Sequence, residues 1–260
     1  MTSAEPRRPR RVAWSRLARA HSGRTYAYFR RMRTVPGWLL PTDFWALVEL
    51  DRLQRAAGVR GDGLEIGAYA GRTAILLGFL LQPGERLVVC DPFGSAESLD
   101  EDNAHENARY YDGLTREVFE HAYLTFHAEL PRMVVGPSTL LPGLVAPGSC
   151  RLVHVDGGHS HAVARRDVDM ALAFAAPGAV LALDDVSKAH LPGAALAIWE
   201  TVLSGSLVPV ALSDAKLYGA DATSAPGYRA GLAAWGQAMG LRVDWHTLAG
   251  HRVPRMVPRP

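Results

Sequence analysis

Three apolar runs of this chain end on acids: "RLVVC" on Asp91, "RLVHV" on Asp156, and "AVLAL" on Asp184-Asp185. His159 follows Asp156 by three residues in "HVDGGHS". Carboxylates brought together serve two chemistries: they accept hydrogen bonds from hydroxyls, and they hold a hard divalent cation such as Mg²⁺ through oxygen. An imidazole with an ordinary pKa near about 6.5 takes up a proton at neutral pH. A further stretch, "LEIGAYAGRT", places Gly67 and Gly71 directly behind an apolar run that contains Glu65. Glycines at such a place turn a strand sharply into a helix, whose first N–H groups are open to an anionic ligand.

For these residues to meet, the elements around them must end at one edge. From Pro41 onward the pattern predicts a helix over 42–57, with Thr42 as N-cap and Phe44, Leu47, Val48, Leu50 and Leu53 as its apolar stripe. Strand 63–67, helix 72–81 and strand 86–90 follow, then an acid-rich loop or lid over 94–113. Helix 115–128, strand 132–136, strand 151–155, helix 161–175 with Ser160 as N-cap, and strand 179–183 come next. A helix over 193–203, strands 207–212 and 216–220, a helix near 228–239 and a final strand or two complete the reading. Continuous apolar strands alternating with helices give an α/β fold: a doubly wound parallel sheet with helices on both faces. Ligands of such sheets collect outside the carboxyl ends of the strands. Gly67, Asp91, Asp156 and Asp184-Asp185 are all predicted there. Any one acid after a strand can instead cap the next helix; the convergence points to a site.

Composition narrows the setting. The chain has 260 residues, 48% of them hydrophobic, and its longest apolar run, 170–183, is interrupted by Pro177-Gly178, so no membrane span is expected. The Arg-rich start carries no apolar signal core, and a cytoplasmic location is expected, with Cys90 and Cys150 as buried free thiols. Residues 1–33 hold ten arginines against the single acid Glu5, a net +9 that the rest of the chain balances with −7. The chain therefore divides into a basic arm or helix, 1–36, and a domain with a C-terminal extension, 37–260. The arm is expected to pack on the body or on a second copy of the chain, making a homo-oligomer. No RNA-binding motif accompanies it, and nucleic acid is not the expected partner.

The glycine turn reads G-x-x-x-G, without the middle glycine of the dinucleotide fingerprint, and Ala68 and Tyr69 occupy the space a pyrophosphate would need. A ligand with a zwitterionic portion fits better. Asp91, 24 residues past Gly67, is placed to accept from both hydroxyls of a ribose, and S-adenosylmethionine (S-adenosyl-L-methionine) meets both requirements. "LEIGAYAGRTAILL" resembles the first motif of class I methyltransferases, and its core is similar to that of the catechol O-methyltransferase group. The likeness continues through "VCDPF", "VVGPS", "HVDGGHS" and "PGAVLALDDV", over roughly residues 42–220. This cadence also resembles the macrocin O-methyltransferase-like enzymes, which methylate sugars on bacterial natural products. The resemblance implies a Rossmann-like sheet of seven strands whose last strand, "KLYGA", is antiparallel. It implies that Gly67, Ala68, Tyr69 and Gly71 line the methionine portion, with Thr73 reaching its carboxylate and Glu65 bracing the turn. It also implies that Asp91 holds the ribose and Ser138 faces the adenine; Asp156 is expected both to contact the cofactor and to act in catalysis beside His159. Packing and capping are the alternative roles for Tyr69 and Thr73.

Asp156, Asp184 and Asp185 are the expected ligands of Mg²⁺ or another divalent cation, with open positions for an acceptor's vicinal hydroxyls. The catechol enzymes commonly carry Asn where Asp185 stands, and a lysine where His159 stands. His159 is expected to be the general base, with capping of helix 161–175 as its alternative role. His154 reads as a buried structural histidine, Asp167 and Asp169 as solvated charges, and Asp214 as an acceptor contact. The expected function is S-adenosylmethionine- and metal-dependent O-methylation of a small molecule, on a natural-product sugar or a vicinal diol or catechol. The alternatives are a metal-independent methyltransferase and a catalytically silent, methyltransferase-like binding module.

Overall fold

A computed structural model describes residues 23–94 and 113–259. Almost all of the predicted loop 94–113, and the arm before residue 23, therefore lie outside the described residues. Five apolar runs become parallel strands: β1 (Asp62–Ile66), β2 (Leu87–Asp91), β3 (Arg132–Val135), β4 (Cys150–Val155) and β5 (Ala175–Leu183). β6 (Val208–Leu212) and β7 (Leu217–Ala220) form a hairpin, and β7 inserts between β5 and β6, antiparallel to both. The order is β3-β2-β1-β4-β5-β7-β6-β9-β8, nine strands among the described residues against the seven expected. The two extra strands are β8 (Arg242–Leu248) and β9 (His251–Val257). The residues joining them, Ala249 and Gly250, have φ of 47° and 79°, the left-handed pair that a tight hairpin turn requires. β9 joins β6 through Leu212 and Arg255, so the C-terminal extension lengthens the sheet.

Seven helices cover the two faces: α1 (Gly23–Arg31), α2 (Pro41–Ala56), α3 (Arg72–Leu80), α4 (Arg116–Leu124), α5 (His161–Phe174), α6 (Pro192–Leu203) and α7 (Ala225–Ala238) among the described residues. One apolar cluster joins Tyr28, Phe44, Leu76, Phe119 and Leu232 to one face, and a second joins Val168, Phe174 and Ile198 to the other. α2 begins one residue before the predicted Thr42, because Pro41 fills a first-turn position where its missing N–H costs nothing. α4 stops at Leu124, and His127 turns inward to the Ile75 carbonyl, 2.9 Å away. No helix among the described residues is long and apolar enough to cross a membrane. Cys90 and Cys150 are buried free thiols.

The part of the arm that is described does not stand apart from the body. Tyr28, Met32 and Val35 are buried in the first cluster, at 1–3% exposure. The Tyr28 hydroxyl donates to the Arg72 carbonyl at 2.6 Å, and Arg72 Nε donates to the Val35 carbonyl at 2.7 Å. Residues 23–35 thus pack on the body through Thr25, Tyr28, Met32 and Val35, and the boundary expected at residue 36 falls within that packing.

At the edge of the sheet away from the acids, Arg151 of β4 is 1% exposed. Its guanidinium pairs with Asp51 and Glu85, each at 2.9 Å, and donates to the Leu80 carbonyl and Gln54 Oε1. Arg151→Ala would leave the poorly solvated Glu85 without its counter-charge and Asp51 with Arg55 alone. A loss of about 3–5 kcal/mol is expected, read from urea unfolding; a change under about 1 kcal/mol would show that water replaces the guanidinium freely.

Candidate active site

The chain leaves β1 through Gly67, whose N–H donates to the Cys90 carbonyl at 2.9 Å, while Asp156 N–H donates to the Ile66 carbonyl at 2.8 Å. Gly67 has a φ of 81°, and a Cβ there would lie 1.9 Å from the Asp156 carbonyl oxygen. The glycine is therefore demanded by the exit of β4, which crosses the turn, as much as by any ligand. Gly71, at φ 89°, opens α3, and a Cβ there would meet the Phe119 ring at 2.9 Å. As an N-cap, Gly71 has no side chain to accept from the first N–H groups of α3, which stay available to an anion beside Thr73. A cavity of about 420 Å³ runs from this turn past Asp91 and Ser138 to Asp156, Asp184 and Asp185. One cleft is thus bordered by every predicted cofactor, metal and base residue except Gly71.

Two predicted cofactor contacts differ in the structure. Asp91 Oδ2 accepts from the N–H groups of Ala68 and Tyr69, at 2.6 and 3.0 Å, and Oδ1 from Phe93 N–H at 2.6 Å. A carboxylate offers about four acceptor directions, and three are taken, so Asp91 has room for one ribose hydroxyl and not two. The same bonds consume the Ala68 and Tyr69 N–H groups that were expected to face the cofactor. Burial pushes the Asp91 pKa up, and the three backbone donors oppose it. Ser138 borders the cavity, but its hydroxyl donates to Asp167 Oδ1 at 2.5 Å rather than facing a base. Asp167 was read as solvated; it is 3% exposed, and its Oδ2 accepts from Gly158 N–H at 3.3 Å. Asp169 is exposed as expected and pairs with Arg165.

The acids at the ends of β4 and β5 meet a histidine and a lysine. His159 Nε2 lies 3.1 Å from Asp185 Oδ2. Lys216, just before β7, donates to Asp184 Oδ2 and lies 2.8 Å from His154 Nε2. His154 Nδ1 in turn lies 3.0 Å from Glu65 Oε1. With Nε2 accepting from the ammonium, the His154 proton sits on Nδ1 and is donated to Glu65. Burial first, and Lys216 second, depress the His154 pKa well below its ordinary value, so this histidine is neutral and structural, as expected. Burial, then the Asp156 charge, raises Glu65 well above the carboxylate range; its Oε2 has no partner and Glu65 borders the cavity. Burial and the Asp184 charge likewise raise Asp156. Asp184 goes the other way: against the upward push of burial, the Lys216 ammonium holds it down to about 2.

The three aspartates consequently do not form one set. Two groupings among the described residues bring three donor atoms within 4.8 Å of one another: His154 with Asp156 and Asp184, and Asp156 with His159 and Asp185. Asp214, expected at the acceptor, instead pairs with Arg255 of β9 at 2.7 Å and does not border the cavity. Lys216 was missed altogether.

A largely parallel sheet with an antiparallel β7, a glycine turn after β1 and acids along the same edge make a Rossmann-like α/β fold, the fold of class I methyltransferases. A family described as a methyltransferase domain matches residues 64–186. Among solved structures, the O-methyltransferase NovP is similar at 15% identity and a TM-score of 0.56, over 69% of this chain and 79% of that one. CalS11, a TDP-rhamnose 3'-O-methyltransferase of calicheamicin biosynthesis, gives 16% identity and a TM-score of 0.45 over 77% of this chain and 94% of that one. TomG of Streptomyces achromogenes, in complex with SAM, gives 18% and 0.40 over 78% and 97%. No curated protein matches the chain in sequence.

Proposed function

We propose that the chain methylates a hydroxyl of a small molecule, a sugar of a natural product or a vicinal diol or catechol, with a divalent cation at Asp156 and Asp185. The observation that carries this reading is the single cleft joining the glycine turn to Asp156, His159 and Asp185. The donor set fits a hard cation in part: Asp156 and Asp185 offer carboxylate oxygen, whereas Asp184 is committed to Lys216. S-adenosylmethionine, held by the glycine turn, would supply the methyl group to the acceptor oxygen and leave as the neutral thioether S-adenosylhomocysteine. The cation supplies a Lewis acid that makes a coordinated hydroxyl more acidic. Glu65 Oε2, unpartnered at the cavity wall, would accept from the cofactor ammonium, and the start of α3 would hold its carboxylate. Asp185, accepting at Nε2, fixes the His159 tautomer so that Nδ1 receives the hydroxyl proton. Residues 1–22 are proposed to contact the body or a second copy rather than nucleic acid, in a cytoplasmic setting.

Mass spectrometry of sugars, diols and catechols incubated with protein and S-adenosylmethionine should show gain of one methyl, lost in EDTA and restored by Mg²⁺. Full turnover by verified metal-free enzyme would remove the cation from the scheme, and binding of NAD in place of S-adenosylhomocysteine would remove the scheme itself. Asp91→Ala should weaken S-adenosylhomocysteine in calorimetric titration by about 1–3 kcal/mol, because it strands buried N–H groups of the turn as well as losing a ribose contact. Unchanged affinity would show that Asp91 neither shapes the turn nor touches the ribose.

A further inference from the structure

We propose that Lys216 is the resident cation of the acidic centre: its ammonium withholds Asp184 and His154 from an incoming divalent ion and directs that ion to Asp156 and Asp185. The inference rests on the cation reading above and specifies which carboxylates serve it.

Topology brings the lysine there. The parallel strands end at the ligand edge, but β7 runs the other way, so its beginning lies where their ends lie. Leu217 pairs with Leu183, which sets Lys216 across from Asp184. At 1% exposure the ammonium has little access to water and must be matched by protein groups. It bonds Asp184 Oδ2 and His154 Nε2, two of the three members of one donor grouping. The remaining Asp184 oxygen accepts from Asp185 N–H at 2.9 Å. An ion entering that grouping would have to expel a buried ammonium whose charge already neutralises Asp184. In the other grouping, the partner of Asp185 is His159, a side chain that can be neutral and still bond there. A hard ion takes its carboxylate oxygens and leaves the imidazole as base. The acids therefore divide between a built-in cation and an exchangeable one, with Asp156 facing both.

The test is Mn²⁺ titration of the purified full-length chain, followed by electron paramagnetic resonance, with melting and S-adenosylhomocysteine affinity recorded for every variant. Asp185→Asn should weaken Mn²⁺ about tenfold or more, and Asp184→Asn should change it little. This comparison needs no lysine variant, and equal losses in the two would overturn the proposal. Lys216→Met should gain Mn²⁺ affinity or a second ion, and that gain should vanish when Asp184→Asn is added. A folded Lys216→Met chain without any gain also overturns it. Should the native chain bind no Mn²⁺, the cation reading falls. A gain in Lys216→Met that depends on Asp184 would still support the lysine as the cation of this centre, and its absence would end both readings.

Discussion

Replacing His159 with alanine is expected to lower kcat by about 10²–10⁴-fold, the usual contribution of a positioned general base, while S-adenosylhomocysteine binds as before. The side chain stands beside Asp185 at 3.1 Å and borders the cleft, away from the glycine turn. On the proposed reading it acts on the acceptor proton and not on cofactor affinity. The residual rate should climb with pH, because hydroxide can replace the missing base, whereas the wild-type rate should level off once the imidazole is neutral. Mn²⁺ affinity separates base from ligand: a base leaves it nearly intact, and a ligand takes it away. A variant that kept the wild-type rate and pH profile would rule His159 out.

Gly67→Ala is expected to cost about 4 kcal/mol or more, at the far end of single substitutions, and to abolish S-adenosylhomocysteine binding. Its Cβ would lie 1.9 Å from the Asp156 carbonyl oxygen and 2.7 Å from the Gly157 Cα, and backbone cannot swing aside as a side chain can. The φ of 81° adds left-handed strain of about 1–2 kcal/mol for a residue with a Cβ. Gly71→Ala is the milder comparison, because what it meets is the Phe119 ring, which can shift. Chemical denaturation of the two variants measures the difference, and equal stabilities would contradict the close approach at Gly67.

Much of this was legible from residue types alone. Apolar runs ending in acids marked the sheet edge, since a buried parallel strand is mostly apolar and a charge inside it, as at Arg151, needs buried partners. Lys216 was hidden by strand direction: a lysine at the start of a strand reads as lying far from the ligand edge unless the strand is antiparallel. Asp167 left a signal, being three residues after Ala164 and four before Ala171, on the helix face buried by those alanines. Its charge suggested solvent, but Ser138 and Gly158 supply the hydrogen bonds that let it stay inside. In α1, arginine-rich flanks concealed Thr25 and Tyr28, which with Met32 follow the three- and four-residue spacing of a buried helical stripe. A final strand or two was expected after the last helix, but not that β8 and β9 would extend the sheet, a union that rests on one registered pair.

The backbone bonds that carry Asp156 N–H to Ile66 and Asp184 N–H to Val155 continue the sheet ladder one step past the strands. On the proposed reading, the donor side after β1 and the acceptor side after β4 and β5 are spaced by the sheet, about 4.8 Å per strand, and not by flexible loops. The entropy of aligning them is spent when the protein folds rather than at each turnover. Such a fixed floor cannot be retuned to a new acceptor by small shifts of its side chains. On the proposed reading, a change of acceptor would fall on the rim, on Trp38 and Leu40 before α2 and on Lys188 and His190 after β5, which line the cavity outside the ladder.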